Sequence, residues 1–176
     1  MNFTNITNKI NWRIIVVHIV ATFFIIFATK QFAQLNDIEL IKLVDKYGVE
    51  NSIKQLKNDP NSPSRIAYYL FWNGASNLIG LIIAFLISLI ICIQKKVFWL
   101  NGLIVFIVGL IFNKLGLLNG HTISRIFFSF YELFPHAAVQ CKFFINGTIL
   151  FLTAIFIFFN KWTNNLTLNS MLTKDS

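Results

Sequence analysis

The sequence predicts an all-α integral membrane protein, a four-transmembrane-helix antiparallel bundle with amphipathic helices in its two outer loops. Four apolar runs come close to or exceed the 17 to 25 residues, roughly, that a helix needs to cross a hydrocarbon core of about 30 Å. Each run has a tryptophan at or near one end, where an indole ring places its apolar body in lipid and its N–H in water. The runs are Ile14–Thr29, Ile66–Ile93, Val97–Leu118 and Phe143–Phe159, with Trp12, Trp72, Trp99 and Trp162 beside them.

Composition supports the same class. Hydrophobic residues make up 56% of the chain, charged residues only 12%, and the mean hydropathy is +0.65. A soluble domain of this size could not bury so much apolar surface. The net charge of +8 does not indicate nucleic-acid binding, because the Lys and Arg residues lie between and beside the apolar runs, where they anchor helix ends. The predicted partner is therefore the lipid bilayer and not a nucleic acid.

The chain is predicted to form one polytopic domain, residues 1–176, with spans at about 12–32, 66–93, 97–118 and 143–161 and outer loops at 33–65 and 119–142. Four crossings place both termini on one side of the membrane. The density of Lys and Arg is somewhat higher on that side, so the termini are expected to be cytoplasmic. A composition rich in Asn, Ile, Lys and Phe is typical of AT-rich bacterial genomes. The expected location is the bacterial inner membrane.

The first outer loop has its own helical pattern. Asn36 and Glu39 resemble a capping pair at the start of an amphipathic helix that Gly48 can end. A second short helix is predicted over residues 49–57, before a Pro-rich turn leads back to the membrane. We expect a solvated helical hairpin on the bilayer surface.

Small residues recur at helical spacing in every span. Lipid tails provide no hydrophobic drive, so helices in a bilayer associate by close backbone approach at such residues. The seven-residue period predicts left-handed packing, tightest between the second and third spans. The same seams could instead mediate self-association, so an oligomer is an open alternative. The residues are Ala21 and Ala28 in the first span, Ser76, Gly80, Ala84 and Ser88 in the second, Gly102, Gly109 and Gly116 in the third, and Gly147 and Ala154 in the fourth.

The predicted spans contain no Asp or Glu, which argues against carboxylate-pair catalysis and carboxylate relays within the membrane. No phosphate loop, nucleophile elbow or zinc-protease motif occurs. We therefore predict no metal, no cofactor and no catalytic residue.

A polar concentration near the outer face is the candidate site. Three spans bring amides to a similar depth, and one face of a predicted helix in the second outer loop is polar. This helix could close as a lid over the amides, with Arg125 holding a phosphate or carboxylate of a lipid or small ligand. It could instead lie at the interface with its polar face in water, while the amides only bond neighbouring helices. The amides are Asn73, Asn77, Asn113 and Asn146, and the polar face is His121, Arg125, Ser129, Glu132 and His136.

His18 is the other ionisable residue of interest, about four residues into the first apolar run. Ionisable residues within membrane spans are functional candidates. A histidine near the interface can also bond a neighbouring amide or reach the lipid head groups.

The sequence thus predicts a small non-catalytic inner-membrane protein that acts as an accessory or interaction component, through its outer loop and outer helix, on another membrane protein. Two alternatives remain open at this point. One is an oligomeric transporter or channel subunit. The other is a small membrane enzyme that acts on a lipid-linked substrate at the outer face.

Overall fold

The computed structural model describes residues 10–56, 60–119, 136–161 and 165, and these residues form helices joined by turns and short irregular segments, with no strand among them. Short 3-10 turns follow the first and fourth helices, at Leu35–Asp37 and Leu117–Asn119. The predicted all-helical class is therefore confirmed for this part of the chain. The helices are α1 (Trp12–Gln34), α2 (Ile38–Leu56), α3 (Ser62–Gln94), α4 (Leu100–Lys114) and α5 (Val139–Phe159).

Within the described residues, three helical segments are long and apolar enough to cross a membrane: Trp12–Gly48, Pro63–Gln94 and Val139–Phe159. The third predicted span, 97–118, is shorter than expected, because α4 has only 15 residues. Large apolar side chains remain exposed along the helices, as expected of surfaces that face lipid. They include Leu70, Ile82, Leu86, Ile107, Leu152 and Phe156.

Helix α1 is the centre of the packing. It runs antiparallel to α3, as the Thr29–Ser76 and His18–Ser88 hydrogen bonds indicate, and antiparallel to α5, where the His18 and Phe158 rings meet. Helix α4 packs on α1 and α3. The predicted tightest contact, between α3 and α4, is wrong: the contacts of α1 with α3 and with α5 are both more extensive. The reason is that α1 is buried along two faces while α4 is short.

The two ends of this helix arrangement differ. At one end, which we name the Asn11 end, the Asn11 N–H donates to Asn101 Oδ1 at 2.9 Å, which places the start of α1 beside the start of α4. At the other end, the α2 end, Lys30 Nζ donates to the Leu118 carbonyl at 2.8 Å. The α2 end corresponds to the face that the sequence analysis named outer.

Glycines mediate the closest helix contacts. A methyl group added at Gly80 of α3 would collide with the Thr29 hydroxyl and lie 2.8 Å from Ile26 Cα of α1. One added at Gly109 of α4 would meet only the tip of the Leu81 side chain. Gly116 is not part of a packing seam, contrary to the prediction. It has φ +72 and open space around it, because it ends α4 in the left-handed conformation that glycine tolerates.

Helix α2 is broken at Gly48, as predicted, where φ is 73° and ψ is 167°. The Ser52 hydroxyl donates to the Leu43 and Gly48 carbonyls and so joins the two halves. The predicted capping pair is wrong. The side chain of Asp37, and not that of Asn36, accepts from the first turn, at 3.0 Å from Leu40 N, since the 3-10 turn brings Asp37 to the helix start.

Helix α3 begins earlier than predicted, at Ser62 rather than Ile66. Pro63 lies in its first turn, where a missing backbone N–H costs no hydrogen bond. The sequence predicts a turn over the Pro-rich segment, but the second proline of this segment lies within the first turn of the helix.

We expect Gly80→Ala to lower the free energy of unfolding by about 1 to 3 kcal/mol, the usual cost of overpacking. The added methyl group meets the backbone of Ile26, which cannot move aside alone. The matched control is Gly74→Ala in the same helix, where nothing lies within 4 Å and helix propensity favours alanine. Thermal unfolding in detergent gives the unfolding midpoint of each variant. Equal midpoints would contradict the α1–α3 contact.

Candidate functional site

Two of the four predicted amides meet at the α2 end. Asn77 Nδ2 donates to Asn113 Oδ1 at 3.1 Å, which joins α3 to α4. Asn77 is 3% exposed and Asn113 is half-buried, so this bond is partly buried. Asn73 is half-buried one helical turn nearer the end of the bundle, and its backbone carbonyl accepts from the Ser76 hydroxyl. Asn77 and Asn113 therefore form an interhelical clamp, which Asn73 does not join.

The fourth amide is separated from this pair. Asn146 is buried on α5, and α5 packs chiefly on α1, away from α4. Its neighbour Gly147 approaches Gln31 and Phe32 of α1. The Asn77–Asn113 bond thus joins α3 to α4, whereas Asn146 lies on α5, which packs chiefly on α1.

The polar face predicted over these amides falls mostly outside the described residues. That holds for His121, Arg125, Ser129 and Glu132. His136 is described and is exposed in the turn before α5. Among the described residues, no group of three His, Cys, Asp or Glu side chains is placed to hold a metal ion.

His18 is buried between three helices. Its Nδ1 atom lies 2.7 Å from the Ser88 hydroxyl of α3, and its ring packs edge-on against Phe158 of α5, with centroids 5.0 Å apart. The Thr22 hydroxyl donates to the His18 carbonyl at 2.7 Å. The imidazole therefore connects α1 to both of its main partners, and the hydrogen bond goes to a serine rather than to the neighbouring amide considered above.

Two polar residues at the end of α1 were missed by the sequence analysis. Lys30 belongs to the Lys and Arg residues beside the apolar runs, which are expected only to anchor helix ends, yet it is 8% exposed and bonds the turn after α4. Gln31 is fully buried, and its amide has no hydrogen-bond partner among the described residues. A signal for Gln31 was present: it lies three residues after Ala28, on the face that carries the small-residue seam.

A charged cluster joins the α1–α2 turn to the start of α3. Arg65 Nη2 lies 2.9 Å from Asp37 Oδ1 and 3.4 Å from Glu39 Oε2. This ion pair is partly buried, so it is screened less than an exposed pair. It fixes α2 on the rest of the protein.

Comparison with known proteins gives no guide to this arrangement, since no protein family, curated protein or solved structure shows significant similarity to the chain. Function must therefore be argued from the contacts themselves.

A double-mutant cycle tests the Asn77–Asn113 clamp. We expect Asn77→Leu and Asn113→Leu each to destabilise the protein, and the double variant to lose less than the sum of the two. The coupling should be about 0.6 to 2 kcal/mol, the range for hydrogen bonds between membrane helices. Unfolding free energies in mixed detergent provide the measurement. Strictly additive losses would show that the two amides do not share a bond.

Proposed function

We propose that α4 crosses the membrane together with α1, α3 and α5, so that the chain spans the bilayer four times. Alone, α4 provides only about 22 Å of helix. Two hydrogen bonds support a full crossing. The Asn101 side chain is level with Asn11, and the Leu118 carbonyl after α4 is level with Lys30. Between Asn11 and Lys30, α1 rises about 28 Å, close to the thickness of a hydrocarbon core.

We further propose that the Asn11 end faces the cytoplasm of a bacterium. Lys95 and Lys96 form the turn between α3 and α4 at this end, and Lys161 follows α5. Trp12 and Trp99 are 66% and 50% exposed beside them, as expected of an interfacial belt. The positive-inside rule favours this orientation in the bacterial inner membrane.

Reporter fusions test the number of spans and the orientation together. Alkaline phosphatase fused after Asn119 should be active, whereas fusions after Lys96 and Lys161 should be inactive, because this enzyme folds only outside the cytoplasm. A fluorescent protein at the same three positions should give the opposite pattern and serves as the control. Equal behaviour at Lys96 and Asn119 would show that α4 does not cross. Activity only at Lys96 and Lys161 would reverse the orientation.

For the physiological role, we infer a small non-catalytic accessory component that contacts a second membrane protein through α2. The observation that carries this proposal is a difference between the polar side chains within the apolar helices and the exposed side chains of α2. Within the apolar helices, His18 and Asn77 are bonded to neighbouring helices and Lys30 is bonded to the turn after α4, so these three side chains hold the fold together. Helix α2, by contrast, is a fixed element beyond the apolar run of α1.

The exposed surface of α2 suits a protein partner. Its second half is tied to its first through Ser52, and its start is tied to α3 through Arg65. An ordered element loses little conformational entropy on binding. It presents charges of both signs around one aromatic ring, as in an interface where a tyrosine makes the contact and charged residues form the solvent-accessible rim. The exposed side chains include Glu39, Lys42, Lys46, Tyr47 and Lys54.

Site-specific photo-cross-linking in cells tests this role. A photoreactive residue at Lys42 or Lys54 should form an adduct with one protein of fixed mass. The same residue at Ile82 or Leu86, which are 50% and 49% exposed on α3, is the control and should label lipid. Removal of the captured protein should lower the abundance of this chain. Absence of a protein adduct at α2 would overturn the accessory role, and solute flux through the purified chain in vesicles would favour the transporter alternative.

A further inference from the structure

A crevice separates α1 from α3 at the α2 end. Its floor is the hydrogen bond from the Thr29 hydroxyl to the Ser76 carbonyl, 3.0 Å, and its roof is the Asp37–Arg65 ion pair. Between floor and roof, α1 and its 3-10 turn rise about 12 Å and α3 about 16 Å. Below the floor the two helices are pressed together at Gly80. Above it, the bulky Phe32 and Trp72 side chains line the gap.

The crevice changes from apolar to polar along its length. The lower part, about 210 Å³, is lined by apolar groups such as Phe32, Ala33 and Ile79. The upper part, about 510 Å³, is lined by Asp37, Glu39, Asn61 and Arg65 among others. Asn36 lines both parts, so they are adjacent. A ligand that fits must therefore be apolar at one end and charged at the other.

We propose that this crevice binds one phospholipid whose head group carries an amine, phosphatidylethanolamine, with the upper acyl chain between α1 and α3 and the head group beside Arg65. The proposal goes beyond the accessory role and depends only on the membrane location. A head group and the first carbons of a chain match the length between roof and floor. The rest of the chain continues along the exposed ridge of Ile79 and Ile82.

The charges in the upper part select the head group. Arg65 is the cation that faces a lipid phosphate, and an Arg–phosphate contact is a strong, charge-assisted one. The carboxylates of Asp37 and Glu39 flank it, within 2.9 and 3.4 Å. Glu39 is 86% exposed and can receive a lipid ammonium group. Two carboxylates beside one guanidinium give the site a net negative charge, which disfavours an anionic lipid and favours a zwitterionic one.

Trp72 provides a hydrogen-bond donor at the level of the lipid esters. Its indole lines the crevice, and the Nε1 atom is buried with no acceptor among the described residues. Leaving a buried donor unsatisfied is costly. An ester carbonyl is the acceptor that a phospholipid supplies at the depth where tryptophan concentrates. Binding of the lipid therefore satisfies this donor.

The test is native mass spectrometry of the full chain in detergent, with phosphatidylethanolamine or phosphatidylglycerol of identical acyl chains added. The unmodified protein should retain one phosphatidylethanolamine in preference to phosphatidylglycerol. Trp72→Phe keeps the ring, loses the N–H, and should weaken retention about fivefold, the value of one hydrogen bond. Trp99→Phe, at the opposite end of the protein, is the matched control and should change nothing.

Two further variants test the head-group preference and the position of the acyl chain separately. Glu39→Gln should reduce the preference for phosphatidylethanolamine over phosphatidylglycerol, without loss of folding, because Glu39 is exposed. Ala33→Phe should fill the lower crevice and abolish retention of the lipid. Retention unchanged in both Trp72→Phe and Ala33→Phe would show that the lipid binds elsewhere. Equal retention of the two lipids by the unmodified protein, or a stronger response to phosphatidylglycerol, would overturn the choice of head group.

The occupant in cells is identified by a photoreactive residue at Ala33. A lipid adduct is expected. A protein adduct at this position would show that a polypeptide fills the crevice and would overturn the proposal. This result is distinguishable from the α2 cross-linking experiment, because Lys42 and Lys54 do not line the crevice.

Discussion

The close approach of α1 and α3 at Gly80 is the contact on which the rest of the structure depends. In a bilayer no hydrophobic drive brings helices together, so packing and hydrogen bonds must do so. Because Gly80 lets α3 lie against the backbone of Ile26, the Thr29 hydroxyl reaches the Ser76 carbonyl and His18 reaches Ser88. With α3 fixed in this way, one flank of α1 is left for α5 and α4 fits against both α1 and α3.

The sequence was sufficient to predict the helical class, the apolar runs, the break at Gly48 and the common depth of Asn77 and Asn113. These features follow from local chemistry: run length, a left-handed backbone position, and spacing from an interfacial tryptophan. The sequence was insufficient to predict which helices pack against each other. A small-residue seam shows that a helix is approached closely, but not by which neighbour, so the seam of α3 was assigned to α4 when Gly80 contacts α1.

The burial of Lys30 and Gln31 could not be predicted from the sequence for a related reason. Lys30 and Gln31 follow an apolar run, where polar side chains usually mark the interface, and only the arrival of α4 and α5 on α1 buries them. The Asp37–Arg65 pair joins residues 28 positions apart, a separation that no helical period reveals. Gly116 had the correct spacing for a seam, but α4 ends at Lys114, so the period continued in sequence after the helix had stopped.

One carboxylate links the crevice to the α2 surface. Asp37 Oδ1 accepts the Leu40 N–H, which caps the start of α2, and also accepts from Arg65 of α3. A lipid phosphate beside Arg65 competes for the same guanidinium, so its binding changes how firmly α2 is held against α3. The surface proposed to meet a protein partner is therefore coupled to the proposed lipid through a single residue. The coupling is reciprocal, because a partner that fixes α2 also fixes Asp37 and with it the roof of the crevice.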